Sequence, residues 1–211
     1  MKKIEQDFEI MSEIDGEKIL KDIELYARVC YKSEDAITDS SAKKFVANLI
    51  KWGHESPLEH KSITVKFITD RGVTHEIIRH RLASYTQEST RYCNYANDKF
   101  GNEISVVPSK SIEENAGAKK VADKLLAKAE KTYMKLLDMG IKPQDARDVL
   151  PTCLKTEIVC TYNLREWRHF FKLRTSKAAH PKIREISIKV LKEFQKRIPV
   201  LFDDIKVEEN V

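Results

Sequence analysis

The sequence predicts an α+β fold in which a small, mostly antiparallel sheet is flanked by helices. Residues 61–69 and 152–162 alternate apolar and polar side chains, as half-buried strands do. Residues 112–138 repeat apolar side chains at helical spacing and predict one long amphipathic helix. The chain of 211 residues has no internal repeat, linker or low-complexity tract, so the sequence predicts a single domain over residues 1–211.

Before the first of these strands, the pattern predicts a short strand and two helices. Residues 8–11 suit the strand, and apolar residues at helical spacing indicate a helix over residues 17–30. A second helix begins at Ser40 or Ser41, either of which can cap it, and ends at Gly53, which suits a left-handed turn.

Between the first strand and the long helix, the predicted elements are short. Residues 70–72 should form a turn and residues 73–82 a short helix. Residues 83–102 are polar and lack periodicity, which predicts an extended binding loop. Residues 103–107 are predicted as a short strand. The buried stripe of the long helix is expected to contain Ala118, Val121, Ala122, Leu125, Ala129, Tyr133, Leu136 and Leu137.

The last third of the chain should add a strand and further helices. Residues 143–151 start with a proline suited to a first helical turn and end with a second proline. The strand of residues 152–162 is expected to pair with residues 61–69. Asn163 can cap a helix that runs to residue 174, a final amphipathic helix covers residues 183–194, and the acidic tail after Asp203 should fray.

Composition favours a globular protein of the cytoplasm. Hydrophobic residues make up 41% of the chain and charged residues 34%, and no apolar run reaches the length of about 18 residues that a membrane span needs. The N-terminal residues do not resemble a secretory signal. The net charge of +5 suits anionic ligands, but the sequence lacks the basic block typical of a dedicated nucleic-acid protein.

The four cysteines are scattered and form no Cys-x-x-Cys pair, which argues against a zinc ribbon and thioredoxin-like chemistry. They are expected to be reduced thiols in a cytoplasm. Cys93 lies near the most polar segment of the chain. Cys30, Cys153 and Cys160 fall on apolar faces of predicted elements, where a structural role is the default.

The most concentrated polar chemistry lies between Arg79 and Tyr92, which reads Arg-His-Arg-Leu-Ala-Ser-Tyr-Thr-Gln-Glu-Ser-Thr-Arg-Tyr. Guanidinium groups and short hydroxyl donors suit phosphates and flat polar rings. Consecutive residues of a helix point about 100° apart, so Arg79, His80 and Arg81 cannot share one face. The segment is therefore expected to serve two ligands or two subunits.

A second polar segment, residues 53–60, raises the question of a metal site. It contains His54 and His60 with two glutamates, but this histidine spacing is not a usual ligand spacing. We therefore expect no metal there. A polar turn is the simpler interpretation.

Four segments resemble one enzyme family in the expected order. The pattern Arg-His-Arg-x-x-Ser-x-x-x-x-Ser-x-Arg resembles the signature of flavin-dependent thymidylate synthases. The other matching segments are Gly-His-Glu-Ser-Pro-x-Glu-His, Pro-x-x-Ala-Arg-x-Val-Leu-Pro, and a helix with Asn-x-Arg followed by His and Arg. The resemblance covers about residues 40–180. The signature positions are Arg79, His80, Arg81, Ser84, Ser89 and Arg91, and the other segments are residues 53–60, 143–151 and 163–174.

The resemblance implies methylation of dUMP to dTMP. The family takes the carbon from 5,10-methylenetetrahydrofolate and the hydride from FAD that NADPH has reduced, and it uses no cysteine nucleophile. It implies a homotetramer with sites shared between subunits, with neither nucleic acid nor membrane as a partner. The six glycines of this chain are too far apart for a Gly-x-Gly-x-x-Gly motif or a P-loop, so side chains and loops must bind the flavin.

The resemblance also implies site residues. The residues implied in catalysis are Arg174, Ser89 and His54. Those implied in dUMP binding are Glu76, Arg79, Gln87, Glu88, Ser89, Thr90, Arg91, Arg147 and Arg174. Those implied in FAD binding are Ser56, Arg79, His80, Arg81, Gln87, Asn163, Arg165 and His169. Glu76 departs from the family, in which glutamine is frequent at this position, and a carboxylate beside an anionic ligand needs an arginine to pair with it.

Two other function classes fit parts of the Arg79–Tyr92 segment. An RNA- or single-strand-binding protein would use its arginines for phosphate and its tyrosines for stacking, although no recognised module pattern is present. A serine hydrolase would use Ser89 as nucleophile with His80 or His54 as base, but Ser89 lacks a Gly-x-Ser-x-Gly elbow. The visible spectrum of an oxidised flavin would argue against both.

Overall fold

The computed structural model of the chain describes residues 1–207 and confirms the α+β class. The strands are β1 (Lys2–Lys3), β2 (Asp7–Ile10), β3 (Ser62–Asp70), β4 (Ala83–Gln87), β5 (Ser105–Val106) and β6 (Lys155–Asn163). The helices are α1 (Gly16–Arg28), α2 (Ser41–Trp52), α3 (Arg71–Ile77), α4 (Lys110–Glu113), α5 (Ala116–Asp138), α6 (Pro143–Ala146), α7 (Leu164–Arg174), α8 (Pro181–Arg197) and α9 (Pro199–Phe202). Within residues 1–207, no helix combines the length and apolar character that crossing a bilayer requires.

The main sheet has the strand order β2-β3-β6-β4. The predicted pairing of residues 61–69 with residues 152–162 is thereby confirmed. Thr64 faces Thr161 at 2.9 Å between hydroxyl oxygens, while the Arg71 N–H donates to the Leu154 carbonyl. Residue numbers rise on one strand as they fall on the other, so the two strands are antiparallel. A separate pair, β1 and β5, is parallel.

Contacts along the chain group the residues into two compact units. One unit contains Met1–Asp7, Phe67–Arg79 and Thr86–Val159. The other contains Phe8–Lys66, His80–Tyr85 and residues 160–207. We call them the first and the second unit. The single domain inferred from the sequence stays a prediction.

The core of the first unit lies under α5. Tyr133 and Leu126 of this helix are buried and pack in one cluster with Ile104 and Leu154. The predicted stripe of α5 is wrong at Val121 and Leu125, which are 72% and 66% exposed. The predicted long helix also begins later, because the Asn115 side chain accepts from the Ala118 N–H and caps α5 after the separate helix α4.

The core of the second unit is aromatic. Trp167, Phe170 and Phe171 of α7 are completely buried, as are Phe194 of α8 and Phe202 of α9. The Trp167 and Phe171 rings stack with centroids 5.5 Å apart, and Phe194 meets the Trp167 ring edge-on at 5.1 Å. The Trp167 indole also donates to the Ile63 carbonyl at 3.0 Å, so its polar atom is satisfied in the core. This packing fixes α7, which carries several predicted site residues.

The polar region after β3 differs from its prediction. The Asp70 carboxylate accepts from the Val73 N–H at 2.8 Å, so α3 starts at Arg71 rather than after a turn. The helix ends at Ile77, five residues before the predicted end. Residues 83–87, predicted as part of a loop, form β4 at the edge of the sheet. An edge strand with alternating exposure needs no apolar side chains to keep its backbone hydrogen bonds, which is why the polar sequence misled the prediction.

Two further expectations are wrong. Cys30 is exposed rather than buried on an apolar face. The tail after Asp203 does not fray at once, because Asp204 pairs with Arg168 at 2.7 Å and Ile205 is buried. The last part of that predicted frayed tail, residues 208–211, lies outside the described residues.

Candidate functional site

The predicted nucleotide loop, residues 87–91, belongs to the first unit and is anchored at its start by Gln87. The Gln87 side-chain amide donates to the hydroxyls of Thr74, at 3.0 Å, and Thr156, at 3.3 Å. Both threonines are buried, on α3 and β6 respectively. Gln87 thus ties the end of β4 to two neighbouring elements, and these contacts engage its NH2 group within the chain.

Glu88 is held inside the loop rather than presented at its surface. Its carboxylate accepts from the Tyr95 hydroxyl at 2.9 Å and pairs with Lys155 at 3.0 Å. Burial alone would lower the pKa of Lys155, but the carboxylates of Glu157 and Glu88 outweigh it and raise that pKa. Lys155 therefore stays charged, and its pairing with Glu88 fixes the shape of the loop.

The rest of the loop gathers two guanidinium groups. The Arg91 N–H donates to the Ser89 hydroxyl at 3.2 Å, and Arg91 Nε donates to the Gln144 side chain at 3.3 Å. Arg147 Nη1 donates to the hydroxyl of buried Thr90 at 3.3 Å. Both arginines remain exposed. Serine and threonine donors beside two oriented forks are the groups that bind a phosphate dianion.

Two other predicted nucleotide residues lie at the end of α3 in the same unit: Glu76 inside the helix and Arg79 just past it. Glu76 is half-buried in the last turn of the helix, and the Arg79 N–H donates to its carbonyl at 3.3 Å. Arg79 itself is exposed.

The second unit contains a cavity of about 280 Å³ that brings together three of the predicted residues: His54, Ser56 and Arg165. Gly53 closes α2 with a left-handed φ of 72°, which a residue with a Cβ rarely adopts, and so turns His54 out of the helix. Arg165, from the first turn of α7, forms an exposed ion pair with Glu59 at 2.5 Å. The sequence analysis did not predict three further residues that line the cavity: Ala27 in the last turn of α1, and Cys30 and Tyr31 just after that helix.

A buried arginine, Arg168, binds Glu55, which lines this cavity. Arg168 is 1% exposed, and its guanidinium reaches Glu55 at 3.0 Å, both oxygens of Asp204 at 2.7 Å, and the Leu201 carbonyl. Glu55 lies directly between the two cavity residues His54 and Ser56. Sequence reasoning missed Arg168, although its spacing of four from Leu164 and three from Phe171 puts it on the buried face of α7.

Of the remaining predicted residues of the second unit, His80, Asn163, His169 and Arg174 meet in a hydrogen-bonded chain around His80, whereas Arg81 is exposed. His80 Nδ1 lies 2.7 Å from the Glu166 carboxylate, and Arg174 Nε donates to His80 Nε2 at 3.1 Å. The other Glu166 oxygen lies 3.4 Å from His169 Nδ1. Glu166 was not predicted as a site residue. It lies three residues after Asn163, whose side chain caps α7 by accepting from the Glu166 N–H at 2.8 Å.

These contacts define the protonation of His80. Because Arg174 donates a hydrogen bond to Nε2, that nitrogen must carry a lone pair. The proton of the neutral ring is therefore on Nδ1, and Nδ1–H donates a hydrogen bond to Glu166. Burial lowers the pKa of His80, Glu166 opposes this, and the nearby charges of Arg174 and His169 lower the pKa further. His80 is therefore a neutral imidazole with both nitrogens engaged within the chain.

The cluster of His80, Glu166 and His169 also has the composition of a metal site, since its possible ligand atoms lie within 4.8 Å of one another. The arrangement disfavours a cation. The guanidinium of Arg174 already lies on His80 Nε2, and His80 Nδ1 is hydrogen-bonded to the carboxylate that would have to bind the metal. A second positive charge would be repelled by Arg174.

The buried cysteine, Cys160, offers little nucleophilic character. Burial raises the pKa of Cys160 to about 12, so its thiol is protonated near neutral pH. All four cysteines are free thiols. Both nitrogens of His80 are engaged within the chain, so His80 lacks the free nitrogen that the base of a Ser–His hydrolase would need.

Comparison with known proteins identifies the relatives of this chain. The family described as thymidylate synthase complementing protein matches residues 14–200. A Pyrococcus furiosus protein named flavin-dependent thymidylate synthase is 36% identical over 176 residues, covering 83% of this chain and 69% of the relative. A protein of that name from Geobacter sulfurreducens is 34% identical over 190 residues, covering 86% and 80%.

A solved structure is similar in fold. The crystal structure of the UMP/dUMP methylase PolB from Streptomyces cacaoi, bound with 5-Br dUMP, matches with a TM-score of 0.80 over 96% of each chain. The sequence identity is 23%, so this match bears on the fold alone.

Proposed function

Since this chain belongs to the thymidylate synthase complementing protein family, we propose that it is a flavin-dependent thymidylate synthase, which methylates dUMP to dTMP. The proposal includes FAD as the cofactor, 5,10-methylenetetrahydrofolate as the carbon donor and NADPH as the reductant. The observation that carries it is the cluster of Ser89, Thr90, Arg91 and Arg147, the residue types and geometry that a nucleotide phosphate requires.

The donor set of the second unit fits a flavin. Arg81 and Arg165 are exposed guanidinium groups suited to a pyrophosphate, while His54 and Ser56 supply polar atoms at the wall of the cavity. Asn163, which caps α7, and His169, on the same helix as Arg165, would contribute further contacts. When bound, FAD supplies the hydride chemistry, and the protein binds and orients the reactants.

In this proposal, Arg91 and Arg147 bind the dUMP phosphate, and Ser89 lies beside the uracil. Glu88 and Gln87 act indirectly, because their contacts to Lys155, Tyr95 and the threonines hold the loop in shape. This differs from the direct dUMP contacts that the family resemblance implies for both residues.

Arg174 is proposed to activate the pyrimidine. With no nucleophile adding to C6, electron density at C5 must rise through stabilised negative charge on the N3 to O2 or O4 edge of uracil. A fixed guanidinium supplies this stabilisation without a proton transfer. Arg174 is half-buried at the end of α7, where the helix carbonyls favour a cation, and its Nε is held by His80. This hydrogen bond to His80 sets the orientation of the planar guanidinium group.

We further propose a homotetramer in which Ser89 and Arg91 of one subunit and Arg174 of another meet the same dUMP. Closed symmetry repeats such a shared site at every equivalent position. Within one chain, the nucleotide loop and Arg174 belong to different units of the fold. This is compatible with one chain contributing its loop to one dUMP site and its Arg174 to another.

The test is a reconstituted assay with a matched pair of variants. The purified protein should show the two visible bands of an oxidised flavin and form dTMP only when dUMP, methylenetetrahydrofolate and NADPH are all present. Arg91→Ala should lose dTMP formation, because the dUMP phosphate loses its guanidinium, whereas Arg197→Ala, which removes a surface arginine paired with Glu193, should keep it. A colourless protein that binds no added FAD and forms no dTMP would refute the function, and tight RNA binding by it would favour the nucleic-acid alternative.

A further inference from the structure

We propose that Glu166 is a positioning residue that orients Arg174 through the imidazole of His80. The inference rests on the proposed function, in which Arg174 acts on uracil. It extends that function to a buried carboxylate whose oxygens lie 2.7 Å from His80 Nδ1 and 3.4 Å from His169 Nδ1. Glu166 and His80 are 6% and 3% exposed. Because both are buried, Glu166 acts through His80, and His80 acts through Arg174.

The first link joins Glu166 to His80. The Glu166 carboxylate, 2.7 Å from Nδ1, accepts a hydrogen bond from Nδ1–H and thereby fixes this tautomer of the ring. The ring is also held in plane by packing, since Phe170 meets it edge-on with centroids 5.0 Å apart. The imidazole therefore has one orientation, and its Nε2 lone pair has one direction.

The second link joins His80 to Arg174. The lone pair of Nε2 accepts from Arg174 Nε at 3.1 Å, which sets the plane of the guanidinium fork. If His80 adopted the other tautomer, a proton on Nε2 would face the Arg174 N–H and the hydrogen bond would be lost. Glu166 thus controls, across one ring, whether Arg174 Nε keeps its hydrogen bond to His80.

The charged and titratable groups around His80 support a neutral ring. Glu166, His169 and Arg174 face it from α7, and the hydroxyl-bearing rings of Tyr85 and Tyr162 approach from β4 and β6. Burial raises the pKa values of both tyrosines, so they remain neutral phenols. Glu166 is the group in this set that raises the pKa of His80.

Burying the Glu166 carboxylate is unfavourable unless hydrogen bonds to the His80 ring compensate for its lost hydration. A buried carboxylate loses its hydration and must recover it through hydrogen bonds. Its oxygens face two histidines rather than a lysine or arginine, and its backbone N–H is occupied by the Asn163 cap. The contact with His80, at 2.7 Å, is shorter than the contact with His169, at 3.4 Å, so His80 is the main partner of the carboxylate.

The test compares Glu166→Leu, which removes the acceptor, with Glu166→Gln, whose side-chain oxygen still accepts from Nδ1. Misplacing a catalytic group by about 1 Å costs about 10²-fold in rate, so Glu166→Leu should lower kcat for dTMP formation by about that factor. Flavin content and NADPH oxidation should stay near wild type, and KM for dUMP should change less than kcat. Glu166→Gln should recover most of kcat.

The pH profile separates positioning from folding. Protonation of His80 destroys the acceptor for Arg174, so activity should fall in acid. Because the Glu166 charge favours protonated His80, Glu166→Gln should move this acid limb to lower pH. The control Glu193→Gln removes a carboxylate of equal size, paired with Arg197 on the surface of α8, and should leave both kcat and the acid limb unchanged.

The outcomes are decisive in each case. If the wild type forms dTMP and Glu166→Leu keeps its kcat, or if Glu166→Gln leaves the acid limb in place, the inference is wrong while the proposed function stands. If Glu166→Leu does not fold, the acid limb of Glu166→Gln decides. If the wild type forms no dTMP, the proposed function fails, and ¹⁵N histidine spectra still test the tautomer: an Nε2-protonated His80 would overturn the relay.

Discussion

Replacing Arg168 should destabilise the protein more than the loss of any surface arginine. Arg168→Met keeps most of the side-chain length but removes the guanidinium, which bonds Glu55, Asp204 and the Leu201 carbonyl. Removing one partner of a buried ion pair costs about 3–5 kcal/mol, because the other charge is left buried. The Glu55 side chain is 17% exposed and would keep only the longer ion pair with Lys172, at 3.8 Å, whereas Asp204, at 44%, can turn towards water. We therefore expect about 3 kcal/mol.

The assay is urea unfolding at a fixed protein and flavin concentration, since bound ligand and subunit association both shift apparent stability. With a urea slope of about 1–3 kcal/mol per molar, the midpoint should fall by about 1 M or more. Arg197→Met is the control, because its partner Glu193 lies four residues away on the surface of α8 and such pairs contribute about 0.3–0.5 kcal/mol.

The pH dependence gives the same prediction a second measurement. Burial would raise the pKa of Asp204, but Arg168 outweighs it and lowers that pKa below the unfolded value. Stability from this pair is therefore present above the unfolded pKa of the carboxyl and is lost as pH falls through the folded pKa. The difference between wild type and Arg168→Met should shrink in acid. A loss below about 1 kcal/mol at neutral pH, or a difference that grows in acid, would refute the reasoning.

Three further predictions concern catalysis. Replacing all four cysteines by alanine or serine should leave dTMP formation measurable, since the Cys160 thiol is buried with its pKa raised to about 12; one single replacement that abolished turnover while flavin and dUMP still bound would contradict this. Arg174→Ala should retain FAD and NADPH oxidation but lose methyl transfer, and near-normal dTMP formation would exclude the assigned role. Arg91→Ala and Arg174→Ala, each inactive alone, should regain activity when refolded together, with roughly one site in four intact; mixed tetramers that stay inactive would place both arginines in one chain's site.

The sequence was informative where side-chain periodicity reflects burial. The strand of residues 152–162 was predicted from its alternation, and β6 indeed buries Thr156, Ile158, Cys160 and Tyr162 on one face. The same rule failed for β4, since a polar edge strand shows its order in backbone hydrogen bonds rather than in apolar residues. It failed again at Val121 and Leu125, because spacing gives a face of a helix but not what covers that face.

The polar network around the site was less accessible to sequence reasoning. In the run Arg165-Glu166-Trp167-Arg168, the charges look like ordinary helix-surface residues. Their partners lie far along the chain: Glu166 meets His80 across 86 residues, and Arg168 meets Glu55 across 113. Side-chain pairing at such separations depends on the tertiary fold. Local spacing indicates only which face each side chain occupies.

The aromatic core of the second unit has an optical consequence. The chain has two tryptophans: Trp167 is completely buried among phenylalanine rings, and Trp52 is 59% exposed. Iodide in solution should therefore quench the emission of Trp52 and spare the blue-shifted emission of Trp167. The Trp52 ring lies 5.9 Å from that of His54, at the edge of the cavity. The quenchable fraction of the fluorescence would thus report on the cavity mouth, and the protected fraction on the core.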